Sequence, residues 1–208
     1  MPRRNYKQHC ALAKALDVIG ERWTLLLVRE LLTGPKRYKE LSANLPGMGT
    51  NLLADRLRDL RAAGLIDHED PLYRLTPRGA ELEASVLALA RWGRSELGTP
   101  NPDDLWRSSW NVVALRYSFR PEAAKKVRGV IEYRIDGEPV QAKLESGTIE
   151  TSAESPWNPD VTIKASGELL LGLSRGEVEI KSAEAAGDLT VTGDRRLFRA
   201  SLRIFGPE

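Results

Sequence analysis

The sequence predicts two domains: a mainly α domain ordered helix, turn, helix and hairpin, then an α+β domain with a mostly antiparallel sheet. Three observations predict this. Residues 1–98 place apolar side chains at helical spacing in most segments. The stretch Thr99-Pro100-Asn101-Pro102-Asp103-Asp104 has the composition of a linker. After it, apolar and polar residues alternate, the period of half-buried strands. The expected domains are therefore 1–98 and 105–208, joined by 99–104.

Each element follows from local chemistry. Leu12, Ala15, Leu16 and Ile19 form one apolar face, so residues 8–19 read as a helix, broken by Gly20. Trp23 to Leu32 is nearly all apolar and reads as a buried helix closed by Gly34-Pro35. Tyr38, Leu41 and Leu45 share a face of a short helix that Pro46-Gly47 stops. Leu53, Leu57 and Leu60 repeat at i, i+4, i+7 over residues 50–63, and Gly64 ends that helix as the residue beyond its cap. Leu65-Ile66 and Tyr73-Arg74-Leu75 are short strands around the polar turn His68-Glu69-Asp70-Pro71. Thr76 as N-cap and Pro77 at the first helical position open a helix over 77–97, with Leu82, Val86, Leu89 and Trp92 facing inward.

In the second half, 105–119 reads as a helix, or as a helix running into a strand. Segments 129–135, 140–145, 147–152 and 160–165 read as strands, with hairpin turns at Asp136-Gly137 and Ser146-Gly147. A short helix over 167–174, a strand over 188–192 ending at Gly193, and a last helix over 194–205 complete the domain. The chain holds neither an internal repeat nor a low-complexity tract.

The order of residues 34–79 is the layout of a winged helix, whose second helix enters the DNA major groove. Thr50, Asn51, Ala54, Asp55, Arg56 and Arg58 lie away from the leucines and are the candidate DNA-contacting set. Asn pairs with adenine edges and Arg with guanine or phosphate. Asp55 with Arg58, and Arg56 with Asp59, are spaced i,i+3 and can instead pair locally. Lys36, Arg37 and Lys39 form a basic cluster at the entry to the preceding helix, suited to backbone phosphates.

Charge agrees modestly with this division. Residues 1–98 hold 16 Lys/Arg against 12 Asp/Glu, a net of +4. Residues 99–208 hold 15 against 17, a net of −2, which together match the +2 of the whole chain. A basic first half fits a nucleic-acid partner. The single cysteine, Cys10, excludes an intrachain disulfide and a CxxC metal site. Neither a signal peptide nor an apolar run of about 18 residues is present, so the expected compartment is the cytoplasm, with no membrane partner.

From Cys10 to Trp92 the first half resembles the HxlR-type winged-helix regulators of bacteria. The resemblance rests on LDVIGERWTLLLVRELLTGPKRYKEL, LPGMGTNLLADRLRDLRAAGLI, YRLTPRG and the closing RWG. It implies a homodimer on double-stranded DNA with a short inverted repeat, repressing or activating an adjacent gene. Two positions depart from the family: Ala11 stands where proline usually follows the early cysteine, and Asp67 to Tyr73 leaves a short wing. Residues 105–208 resemble a sterol-carrier-protein domain through DVTIKASGELLLGLSRGEVEIKSAEAAGDLTVTGDRRLF. That resemblance implies an apolar cavity for a small hydrophobic ligand. Trp106, Trp110, Tyr117, Phe119, Tyr133 and Trp157 are candidates to line it, although a core needs such side chains anyway.

Other chemistry is sparse. Cys10 stands at the start of a helix, where the dipole favours a thiolate, and Lys7 and Lys14 add positive charge. In the family a cysteine here can sense oxidants or electrophiles, and a small buried interface residue is the competing reading. His9 and His68 have no partners at metal or triad spacing, and no nucleophile elbow is present. No cofactor, metal site or catalytic role is expected. The chain reads as a transcription regulator. The alternatives are a thiol-triggered regulator using Cys10, and a lipid carrier or interaction protein that does not bind DNA.

Overall fold

The computed structural model describes residues 5–98, 101 and 103–206. The chain divides into two compact units, Met1–Leu105 and Trp106–Glu208. Residues 99, 100 and 102 of the expected linker lie outside the described residues; of the rest, Asn101 and Asp104 close a turn through a 2.9 Å backbone bond.

The first unit contains α1 (Ala11–Ile19), α2 (Thr24–Leu32), β1 (Lys36–Arg37), α3 (Tyr38–Asn44), α4 (Thr50–Ala62), β2 (Ile66–Glu69), β3 (Leu72–Leu75), α5 (Pro77–Ala80) and α6 (Glu83–Gly93). Its core joins Leu27 and Leu31 of α2, Leu41 of α3, and Leu53, Leu57 and Leu60 of α4. Helix α4 ends in a Schellman closure. Leu65 N–H reaches Leu60 C=O at 3.0 Å and Gly64 N–H reaches Arg61 C=O at 2.9 Å, with Gly64 in the left-handed region. At the far side of the hairpin, Thr76 caps α5 by accepting from Gly79 N–H at 3.0 Å, with Pro77 in the first turn.

Several expectations are corrected. The first helix begins at Ala11 rather than at residue 8, and Leu12, Ala15 and Leu16 of its expected inner face are exposed while Ala13 is buried. The helix over 77–97 is broken: α5 ends at Ala80, Glu81-Leu82 turn, α6 runs to Gly93 and a 3₁₀ turn follows over Arg94–Glu96. Leu89 and Trp92, expected inward, are 51% and 74% exposed. Lys36 and Arg37 form a strand that pairs antiparallel with β3, Lys36 opposite Tyr73 and Arg37 opposite Leu72. The wing is therefore the three-stranded sheet β1-β3-β2. The strand expected at Leu65-Ile66 instead runs from Ile66 to Glu69, which shortens the turn to Asp70-Pro71.

The second unit contains α7 (Trp110–Ser118), α8 (Pro121–Ala124), β4 (Arg128–Ile135), β5 (Glu138–Glu145), β6 (Thr148–Ser152), β7 (Val161–Ala165), α9 (Gly167–Arg175), α10 (Ile180–Ala186), β8 (Thr190–Gly193) and α11 (Arg195–Ile204). The sheet order is β6-β5-β4-β7-β8, antiparallel except where β7 runs parallel to β4. Both expected hairpins form. Asp136 and Gly137, then Ser146 and Gly147, all take positive φ, the type I′ geometry that matches strand twist. One face of the sheet carries Ile131, Tyr133, Ile135, Val140, Ala142, Leu144, Val161 and Ile163 into a core shared with Val112 of α7 and Phe198 of α11. Helix α7 covers only 110–118 of the expected 105–119, and α8 and α10 have no counterpart among the elements the sequence predicts.

The opposite face is polar but partly covered. Glu132 and Gln141, cross-strand partners, are 5% and 0% exposed. The Gln141 side-chain amide donates to Glu132 at 3.0 Å and to Trp157 C=O at 2.8 Å, and its carbonyl accepts from Trp157 N–H at 3.0 Å. Arg134 donates to Glu132 at 2.9 Å. The buried carboxylate is thus held by a neighbouring cation and an amide, as burial of a charge requires.

Candidate nucleic-acid interface

On a helix turning about 100° per residue, Asn51, Ala54, Asp55 and Arg58 fall on one face of α4, at i, i+3, i+4 and i+7. All four are exposed, and Leu53, Leu57 and Leu60 on the far side are fully buried. Thr50 flanks this face, exposed at the helix start, and its C=O accepts from the Tyr38 hydroxyl at 2.8 Å. That bond fixes the start of α4 against the first residue of α3. The start of the second helix is therefore held by an apolar spine and this polar contact, with a small residue, Ala54, midway along its outer face.

Arg56 differs from the others. It lies away from the Asn51–Arg58 face and its side chain is 19% exposed. It bonds Glu21 at 2.9 Å and Asp59 at 2.9 Å. Its Nε is buried with no hydrogen-bond partner. Arg56 is thus committed to holding α4 against the turn before α2. Arg58 pairs with Asp55 at 2.9 Å, but both side chains are well exposed, so the pair is weak and exchangeable. Both i,i+3 pairs anticipated from spacing form, and the long-range bond to Glu21 had no signal in local spacing.

Lys36, Arg37 and Lys39 are gathered where β1 runs into α3. Arg37 and Lys39 are exposed, and Lys36 is half-buried with its ammonium 3.5 Å from Gly34 C=O. Glu40 caps this helix entry by accepting from Arg37 N–H at 2.6 Å. The wing tip has the opposite character, since Glu69 and Asp70 are exposed there. Arg74 pairs with Glu69 and His68 stacks on Tyr73 with centroids 4.2 Å apart. Glu30 is another residue that sequence reading passed over. It is fully buried within an apolar-looking helix, paired with Arg29 at 2.6 Å and accepting from Asn44 at 2.8 Å, which ties α2 to the end of α3.

Cys10 is exposed, in extended conformation at the N-cap of α1. Among the described residues no three His, Cys, Asp or Glu side chains gather as a metal ion needs, and no helix is long and apolar enough to cross a membrane.

The six aromatics expected to line a cavity in the second unit do not converge on one site. Tyr133 is buried on the core face, edge-on to Phe205 at 6.1 Å, and Phe119 meets the same Phe205 at 6.2 Å. Burial pushes the Tyr133 phenol well above its ordinary range, against a smaller lowering from its hydrogen bond with Ser201. Trp157 lies on the opposite face of the sheet, its ring 5.7 Å from the Lys143 ammonium. Trp106 is 44% exposed, and Trp110 and Tyr117 are half-buried along α7. A polar concavity at the ends of β4 and β7, bounded by Arg134, Asp136, Lys164, Ser166 and Asp188, contains none of them.

Comparison with known proteins agrees with both halves. Residues 114–205 match the SCP-2 sterol transfer family and residues 18–100 the HxlR-like helix-turn-helix family. An HTH-type transcriptional regulator of Mycobacterium tuberculosis is 40% identical over 97 residues, 43% of this chain and 61% of that protein. The chain thus spans about three fifths of the mycobacterial regulators it matches. The HTH-type regulator YvaP of Bacillus subtilis is 33% identical over 86 residues, 38% of this chain and 80% of its own length. YodB of the same organism is 31% identical over 88 residues, 39% and 79% respectively. Among solved structures, quinone-bound YodB covers 40% of this chain and 96% of its own at 30% identity and a TM-score of 0.39. The reduced redox regulator HypR covers 43% and 95% at 32% identity and a TM-score of 0.40. On sequence identity and coverage of its relatives, the chain belongs to the HxlR-like helix-turn-helix family.

Proposed function

We propose that the chain is a transcription regulator that binds double-stranded DNA as a homodimer, each copy laying α4 in a major groove. One observation carries the reading: Asn51, Ala54, Asp55 and Arg58 share an exposed face of a helix whose leucines are wholly buried. Asn51 and Arg58 supply base-edge or phosphate bonds, Ala54 permits close approach, and Thr50 stands at the phosphate-facing helix start. Lys36, Arg37 and Lys39 supply backbone contacts. The acidic tip at Glu69 and Asp70 repels phosphate, so the wing contributes its root rather than its tip. The names of the sequence relatives support this role.

Dimerisation is supported by apolar side chains left in water: Leu12 and Leu16 on α1, Leu89 and Trp92 on α6, and Leu97 beyond it. A two-fold dimer would read half-sites about one helical turn of DNA apart. The second unit is the sensor in this reading. Its match to the sterol transfer family supports a hydrophobic effector, which acts only if the DNA-competent and incompetent states bind it differently.

The test is binding of the purified chain to its own promoter fragment. Asn51→Ala and Arg58→Ala each weaken the specific complex about 5- to 100-fold, the worth of one base contact, with no change of fold. Absence of any sequence-selective complex at low salt overturns the proposal and favours a lipid carrier or interaction protein. A second reading moves the trigger to the thiol, and its support is the exposure of Cys10 at the start of α1. Mild oxidation that leaves operator affinity unchanged in both wild type and Cys10→Ser removes it.

A further inference from the structure

Every fully exposed residue of helix α11 is arginine. Its exposed residues are Arg195, Arg196, Arg199 and Arg203, and its remaining positions are buried or half-buried, with Leu197, Phe198 and Ile204 inside the core. Arg196, Arg199 and Arg203, at i, i+3 and i+7, form one row about 10 Å long at the rise of an α-helix. None of the three has an ion-pair partner among the described residues.

Nearby carboxylates are otherwise engaged. Glu184 pairs with Arg195 at 2.7 Å, and Asp194 caps the helix by accepting from Arg196 N–H at 2.7 Å and Leu197 N–H at 3.1 Å. Asp160 accepts from Val130 N–H at 2.7 Å. On α8, which packs against α11, Glu122 pairs with Lys125 at 2.6 Å, and just beyond α9 Glu177 lies 3.8 Å from Arg175. At the carboxyl end Arg120 adds another cation by donating to Arg203 C=O.

This arrangement opposes the helix's own stability. Like charges one turn apart repel, and Arg196 sits in the first turn, where the dipole disfavours a cation. Solubility would be served as well by mixed charge. Every position is arginine rather than lysine, the residue whose planar fork grips phosphate in two places.

We infer that the α11 arginine row is a second DNA-contacting surface, gripping the phosphate backbone of duplex DNA without reading its sequence. This rests on the DNA-binding role proposed above. A row about 10 Å long matches roughly three successive phosphates of one strand. A lipid surface fits less well, because membrane-lying helices bury their apolar face in the bilayer and α11 has already buried its own within the protein. The contact is tethered to the winged helix, so it adds affinity by effective concentration while specificity stays with α4.

The test uses the full chain and titrates promoter and unrelated duplexes at several salt concentrations. The triple variant Arg196→Gln, Arg199→Gln, Arg203→Gln is expected to bind both duplexes at least about tenfold more weakly, and the slope of log K against log salt falls by two to three. The ratio between the duplexes stays constant, and the triple Lys variant retains most of the slope. The pair Asn51→Ala, Arg58→Ala is expected to lose the ratio and keep the α11-dependent slope. An unchanged affinity and slope in the triple Gln variant overturns the inference, and if the α4 pair is weakened in the same experiment the proposed function stands. A wild type that binds no duplex overturns both. Loss of binding to phosphatidylglycerol vesicles in the triple Gln variant, with DNA binding intact, overturns it in favour of a membrane surface.

Discussion

The Arg56 guanidinium bonds the Glu21 carboxylate at 2.9 Å, across 35 residues of sequence, and so joins α4 to the turn between α1 and α2. The residue lies in the helix that the fold turns outward, yet it serves the interior side of that helix. Holding thus falls to Arg56, and the proposed reading of DNA to its exposed neighbour Arg58.

Arg56→Ala is expected to cost about 1–2 kcal/mol of stability, from two lost ion pairs and the packed stem. A double-mutant cycle with Glu21→Ala should return a coupling of about 0.5–1 kcal/mol. Arg58→Ala, with its side chain 72% exposed, should leave stability within about 0.5 kcal/mol. Urea denaturation of the variants decides. Equal losses at the two positions contradict the division of roles.

Trp92→Glu with Leu89→Glu should convert a dimer into a soluble monomer. Both side chains are exposed in the single copy, so their loss leaves the fold intact while placing charge in the proposed contact. A buried Trp anchor contributes about 2 kcal/mol or more, which weakens dimerisation at least about thirtyfold. Sedimentation equilibrium measures it, and an unaltered dimer would move the interface elsewhere.

Tyr133 predicts an alkaline limit. A phenol ordinarily titrates at 10.0, and burial raises this one in the folded state. Its raised value means that its contribution to stability is complete below pH 10, declines as the unfolded chain ionises above that, and is gone once pH exceeds the folded value. Tyr133→Phe should cost about 1 kcal/mol at neutral pH, from the lost bond to Ser201. It should also flatten the fall in stability above pH 10. A parallel fall in wild type and variant would exclude Tyr133 as its cause.

Gly79 tests the root of the wing. A methyl group there would sit 1.9 Å from Leu65 C=O, with Leu75 also close at 3.1 Å. Backbone cannot yield as a flexible side chain can, so Gly79→Ala should destabilise by about 1–3 kcal/mol. Thermal unfolding measures it, and a neutral substitution would mean that α5 can slide away from the hairpin.

Much of this was legible in local pattern. Leu53, Leu57 and Leu60, Gly64, Thr76-Pro77, Asp136-Gly137 and Ser146-Gly147 act through neighbours a few residues away, and each does in the structure what its spacing implies. The failures share a cause. An apolar residue at helical spacing announces burial without saying in what, so Leu89 and Trp92 read as core although a single copy leaves them in water. Lys36-Arg37 carries no strand propensity and becomes β1 only because β3 offers it a partner. Glu30 looks like the polar edge of α2, and its burial depends on Asn44, fourteen residues away. Residue type alone does not place the second-unit aromatics, because strand alternation and a crossing loop send Tyr133 and Trp157 to opposite faces of one sheet.

The parallel pairing of β4 with β7 sets an order of events during synthesis. As the chain leaves the ribosome, β4 can hydrogen-bond β5 at once, but its other edge waits thirty residues for Val161 to arrive opposite Ile131. Phe198, fully buried in the same core, emerges later still. A premature stop anywhere before α11 therefore leaves an uncovered apolar sheet, the kind of half-made product that cellular proteases remove.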